Sequence, residues 1–152
     1  MAVFRYKMQG ILNIREKLES QAKQAFAEAA MALSKEEEIL ENLKQRKTFY
    51  LEEGVRLRNS ILDPQKLAEN KFALEHMDEL IEKQILQVNV ANKNLEAARY
   101  KMMEARTETR IYEKLKEKEF EEFLTEEGKK ESKEIDELNS YRSALSKDRK
   151  GM

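Results

Sequence analysis

Apolar residues recur at seven-residue intervals along most of the chain, and one Asp-Pro interrupts the pattern. Before the break, Phe4, Ile11, Leu18, Ala25, Ala32 and Ile39 form one row. Met8, Ala22, Ala29, Leu43 and Tyr50 form a second row, with Arg15 and Glu36 standing in its gaps. After the break, Leu67, Leu74, Ile81, Val88, Leu95 and Met102 repeat the period, with a companion row of Met77, Ala91, Ala98, Ala105 and Tyr112. Two rows per segment at this spacing describe a helix with one apolar seam, the pattern of a coiled coil.

The pattern predicts an all-α fold of two long helices in an antiparallel coiled-coil hairpin. Helix one is expected over about residues 4–57, a turn over 58–63, helix two over 64–145 and a mobile tail over 146–152. The whole chain, 1–152, reads as a single coiled-coil domain. Asp63 suits an N-cap and Pro64 the first helical position, where a missing N–H does no harm. Gly54 marks a point of fraying near the end of helix one. A short turn makes the helices antiparallel neighbours. Folding back from Asp63 then brings Phe4 to the neighbourhood of Phe123. The same register sets Ala25, Ala29 and Ala32 against Leu95, Ala98 and Met102. Helix two is the longer and overhangs its partner. The pattern agrees, since the seam fails at Thr109 and Lys116 and a charged stretch, KEKEFEEFLTEEGKKESKE, follows.

Composition narrows the function. Of 152 residues 39% are charged, with one proline and four glycines, which fits a long helix better than a globule with a central core. The net charge is −1 with both signs interspersed, so no nucleic-acid footprint is present. Cysteine is absent, which removes disulfides, thiolate metal sites and a cysteine nucleophile. No apolar run approaches a membrane span and the opening MAVFRYKMQG lacks a signal-peptide core, so a cytoplasmic protein without direct membrane insertion is expected. Catalysis has little to stand on. His76 is the only histidine, and Gly128-Lys129 lacks the upstream glycine and following Ser/Thr of a phosphate-binding loop. The expectation is a non-enzymatic protein with no catalytic, cofactor or metal residues.

What remains is surface. Counting heptads, Phe72, Tyr100 and Tyr6 face outward and Phe49 flanks the seam. Tyr6 and Tyr100 read as ordinary single exposed aromatics. Phe49 and Phe72 lie toward the turn and could form one patch with Tyr50. Beyond the charged stretch, Ile135, Leu138, Tyr141, Arg142 and Leu145 return to helical spacing with no partner helix left in the chain. Lys147, Asp148, Arg149 and Lys150 read as a solvated end.

Three segments stand out: the opening, with Phe4-Arg5-Tyr6, then Ile11-Leu12, then Arg15-Glu16; YEKLKEKEFEEF, around Leu115; and ESKEIDELNSYR, with Glu131, Lys133, Ile135, Asp136, Glu137, Leu138 and Arg142. They resemble, respectively, the opening, the second helix and the closing motif of the flagellar type III export protein family FliJ. The resemblance implies a stalk component of the flagellar export apparatus, similar to the coiled-coil stalk of rotary ATPases. Its implied partners are the export ATPase hexamer, whose assembly it promotes, the cytoplasmic domain of the export gate, and export chaperones. It implies a chain that is monomeric when free and cytoplasmic, at the inner-membrane face when assembled. By matching positions, Arg5, Arg15, Glu131, Lys133, Ile135, Asp136 and Leu138 belong to the ATPase-binding end. Phe49, Tyr50, Phe72 and His76 fall where the gate-binding region should be. Two alternatives stay open on the residues: a structural coiled-coil scaffold, which would dimerise through its seam, and the equivalent stalk of a virulence-type secretion ATPase.

Overall fold

A computed structural model describes residues 2–150 and is all-α among them. Helix α1 spans Gln9–Arg58 and helix α2 spans Pro64–Lys150, packed as an antiparallel hairpin. The seam contacts group into two compact units, where the sequence alone reads as one domain. A turn unit comprises Glu19–Ala105; a terminal unit joins the residues up to Leu18 with those from Arg106 onward.

The turn follows from its residues. Asp63 Oδ1 accepts the backbone N–H of Gln65 at 3.0 Å, and the Asp63 carbonyl accepts that of Leu67 at 3.1 Å. The first satisfies a donor that every helix start leaves open, the second is the first bond of the helix itself, and Pro64 has no N–H to satisfy. Arg56 and Arg58 place positive charge in the last turn of α1, where it complements the helix dipole. Gly54 does not fray. It is buried, and a Cβ there would lie 2.7 Å from Asn70 Oδ1, so glycine is what lets the helices approach. The Asn70 amide donates to the Tyr50 carbonyl at 2.8 Å.

Within the turn unit, α2 buries the expected rows. Met77 and Ala91 are buried, and Leu67, Leu74, Ile81, Val88, Leu95 and Met102 are half-buried. The gaps in the companion row are filled by Asn70 and Gln84, whose amides donate to α1 carbonyls, Gln84 to that of Glu36 at 2.9 Å. Helix α1 departs from expectation. The row with Ala22, Ala29, Leu43 and Tyr50 faces α2, but its companion is displaced by one residue. Glu19, Phe26, Leu33, Leu40, Lys47 and Gly54 face the seam, while Ala25, Ala32 and Ile39 are exposed. The reason is volume, because Phe26, Leu33 and Leu40 bury more carbon than two alanines and one isoleucine. The charged members reach out along their methylene stems: Glu19 pairs with Lys23 at 3.3 Å and Lys47 with Asp78 at 2.7 Å. The register moves with the phase. Ala25 shares a shallow depression with Asn94, Ala97 and Ala98, not with Met102.

The terminal unit corrects four expectations. Helix α1 starts at Gln9, not near Phe4. Residues 2–6 form a non-helical strap along α2, because no capping residue precedes Phe4 and the aromatics of the strap gain burial there. The Phe4 ring meets Phe120 edge-on at 5.2 Å and Phe123 at 5.5 Å, which places Phe4 where folding back predicted. Tyr6 is consequently not an outward aromatic. It is buried, and its hydroxyl donates to the Tyr112 carbonyl at 3.0 Å. Nor does the seam fail at Thr109. That residue is only 2% exposed, as is Leu12, and its hydroxyl donates to the Arg15 carbonyl at 3.1 Å. Half-buried positions continue through Tyr112, Lys116, Glu119 and Phe123 to Glu127. From residue 128 to 148 every residue is exposed, yet all are helical, which is the overhang. The helix also runs through residues 146–150, expected as a tail, since no glycine or proline intervenes between Gly128 and Gly151. Gly151 and Met152 lie outside the described residues.

Candidate partner-binding surfaces

Two surfaces were expected, one in each unit. In the terminal unit, Arg5 is exposed and lines a shallow depression with Val3, Phe4, Lys7, Glu122 and Glu126. Arg15 is half-buried instead, with its guanidinium 5.9 Å from the Tyr112 ring centroid, a cation–π arrangement. Its charge is therefore already engaged within the chain. Glu131, Lys133, Ile135, Asp136 and Leu138 all lie exposed on the overhang. Ile135 is 57% exposed and Leu138 56%, and Tyr141 and Leu145 extend the same stripe. The strap and the overhang are thus parts of one unit, built from both ends of the chain.

Burial in the strap, with Glu119 and Tyr112 nearby, raises the Tyr6 phenol above its ordinary pKa. It stays protonated at neutral pH and keeps the hydrogen bond to Tyr112. Tyr100, exposed on α2, is raised by its hydrogen bond to the Glu104 carboxylate and by that carboxylate's charge.

In the turn unit, Phe49 and Tyr50 meet edge-on with ring centroids 5.6 Å apart. Tyr50 is half-buried in the seam, and Phe49 is 54% exposed beside it. Phe72 is 75% exposed on α2, and His76 is exposed one helical turn further on. No ring contact joins Phe72 to Phe49 or Tyr50 among the described residues, so these aromatics do not form a single packed cluster. The turn adds Ile61 and Leu62, both largely exposed, which sequence reasoning passed over because they belong to neither heptad row.

Among the described residues no group of His, Cys, Asp or Glu is arranged to hold a metal ion, and no helix is long and apolar enough to cross a membrane. Two of the surface depressions are lined mostly by long charged side chains or by alanines. Each surface offers exposed helix faces, which suits protein partners and not enclosure of a small molecule.

Comparison with known proteins agrees with this picture. The family model described as flagellar FliJ protein matches residues 4–148. Among solved structures, a YscO homologue from Chlamydia trachomatis superposes with a TM-score of 0.70 at 23% identity, covering 95% of this chain and 98% of that one. At that identity the likeness establishes the fold. No curated protein matches significantly.

Proposed function

The chain belongs to the FliJ family, and from that membership we propose that it is a non-enzymatic stalk component of the flagellar type III export apparatus. On this reading the terminal unit binds the export ATPase ring and promotes its assembly. The turn unit binds the cytoplasmic domain of the export gate, so that one chain links the two, and export chaperones are further partners. The observation that carries the reading is the overhang: residues 128–148 are helical, wholly exposed and marked by an apolar stripe at Ile135, Leu138, Tyr141 and Leu145. A helix face of this kind is used when a partner's groove covers it. Ile135 and Leu138 supply apolar anchors, Glu131, Lys133 and Asp136 a charged rim, and Arg5 positive charge from the other chain end, where Arg15 is already engaged by Tyr112. The flagellar family model supports the flagellar apparatus over the virulence one.

The test is Ile135→Asp combined with Leu138→Asp. Losing central apolar anchors typically weakens binding by about 2 kcal/mol or more. ATPase stimulation by the added stalk should therefore fall strongly, while circular dichroism and thermal unfolding of the hairpin stay unchanged. Phe49→Ala with Phe72→Ala should do the reverse, sparing ATPase stimulation and weakening capture of the gate's cytoplasmic domain. Full stimulation by the terminal double variant would remove the assignment of the overhang to the ATPase.

A further inference from the structure

The seam of α1 is degenerate, and its degeneracy has a geometric meaning. The row Ala22, Ala29, Glu36, Leu43 and Tyr50 faces α2. Two different rows can accompany it. The observed companion is Phe26, Leu33 and Leu40, interrupted by Glu19, Lys47 and Gly54. The alternative is Leu18, Ala25, Ala32 and Ile39, an uninterrupted apolar row now lying at the margin, with Leu18 44% and Ile39 38% exposed. Exchanging one companion for the other alternates the three- and four-residue steps of the heptad. It therefore rolls α1 and slides it by half a heptad, which is about 5 Å of helix rise.

We infer that the hairpin has a second register, half a heptad from the observed one, and that polar side chains of α2 hold the observed register in place. In the observed register Gly54 lies against Asn70 and Ala25 beside Ala98, which sets Leu33 level with Ala91. In the second register Ala32 comes level with Leu95, and Ile39 replaces Glu36 opposite Val88. The observed companion row buries more carbon, whereas the second is uninterrupted and would free Glu19 and Lys47 from the seam, so these two terms oppose each other. Directional contacts add to the observed side. Asn70 donates to Tyr50 and Gln84 to Glu36 only when α1 presents those carbonyls, and Asn70 fits only where glycine leaves room. A buried polar group that fixes register is a known use of such residues in coiled coils.

The chain has no cysteine, so introduced pairs report register cleanly. Leu33→Cys with Ala91→Cys reports the observed register, and Ala32→Cys with Leu95→Cys the second. Leu33→Cys with Ala98→Cys belongs to neither and serves as the control. Under mild oxidation the first pair should close fully and the second in part, with the control reduced. Adding Asn70→Ala and Gln84→Ala should raise the second pair's share by about fivefold per hydrogen bond lost. Circular dichroism confirms that each variant stays helical. Closure of the second pair in either background supports the second register. Its failure in both overturns the proposal, and so does closure of the control at the same rate, which would mean general mobility.

Discussion

Helix α2 contains two stretches that are equally helical for different reasons. Up to Glu127 it has a partner: Met77, Ala91 and Thr109 are buried, and polar side chains donate to carbonyls of α1. From residue 128 to 148 it has none, and every side chain is exposed. An isolated helix of that length is marginal in water, because its first turn is costly to nucleate. Here the paired stretch supplies the nucleus, and Glu, Lys, Leu and Ala extend it at little cost per residue. Helicity in the overhang is therefore propagated, while in the paired stretch it is packed. A helix held only by propagation can be melted or bound without disturbing the hairpin, which suits a docking element.

The largest effect expected from this contrast is on global stability. Met77→Asp puts an unpaired charge into a buried position of the seam. It should lower stability by about 3 kcal/mol or more, seen as a fall in the thermal midpoint. Leu138→Asp alone, on the overhang, should shift it by no more than about 0.5 kcal/mol. Equal losses from the two substitutions would mean that the overhang is packed in solution. Hydrogen exchange sharpens the same contrast. Amides of residues 128–148 should exchange through local opening, well ahead of those around Met77–Leu95. Uniform protection along α2 would contradict the absence of a partner.

How far the fold could be read from the sequence depended on which helix was asked. In α2 the two rows, the Asp63 cap and the overhang followed from spacing and turn chemistry alone. In α1 the rows competed. The tidier one, Leu18, Ala25, Ala32 and Ile39, lost to one that buries Phe26, Leu33 and Leu40 and tolerates Glu19 and Lys47. Counting apolar letters does not weigh side-chain volume, nor does it credit the stems of charged residues. Asn70, Gln84 and Thr109 were legible only as interruptions, since a hydrogen bond to a backbone carbonyl leaves no mark in the partner's sequence. Tyr6 was misplaced because heptad positions have no meaning before the helix begins at Gln9. The overhang stripe and the outward position of Phe72 were legible from spacing, whereas the exposure of Ile61 and the separation of Phe72 from the Phe49–Tyr50 pair required coordinates.

Two glycines, one in each stretch of the molecule, test the contrast most finely. Replacing glycine by alanine inside a helix favours the helix by about 1 kcal/mol. At Gly128 a Cβ meets nothing within 4 Å, so Gly128→Ala should deliver that gain locally. Exchange in residues 128–148 should slow by up to about fivefold, with the global unfolding midpoint nearly unmoved, because the stretch unfolds on its own. At Gly54 the added Cβ would meet Asn70 Oδ1 at 2.7 Å, and Asn70 is held by its bond to the Tyr50 carbonyl. Displacing it leaves a buried amide without its partner, which costs about 1–3 kcal/mol. That loss matches or exceeds the helix gain, so Gly54→Ala should leave global stability unchanged or lower it by up to about 2 kcal/mol. Paired with Asn70→Ala, which clears the space, Gly54→Ala should become favourable. If Gly54→Ala alone stabilises the hairpin by the full helix increment, the close approach at the turn is not what glycine is there to permit.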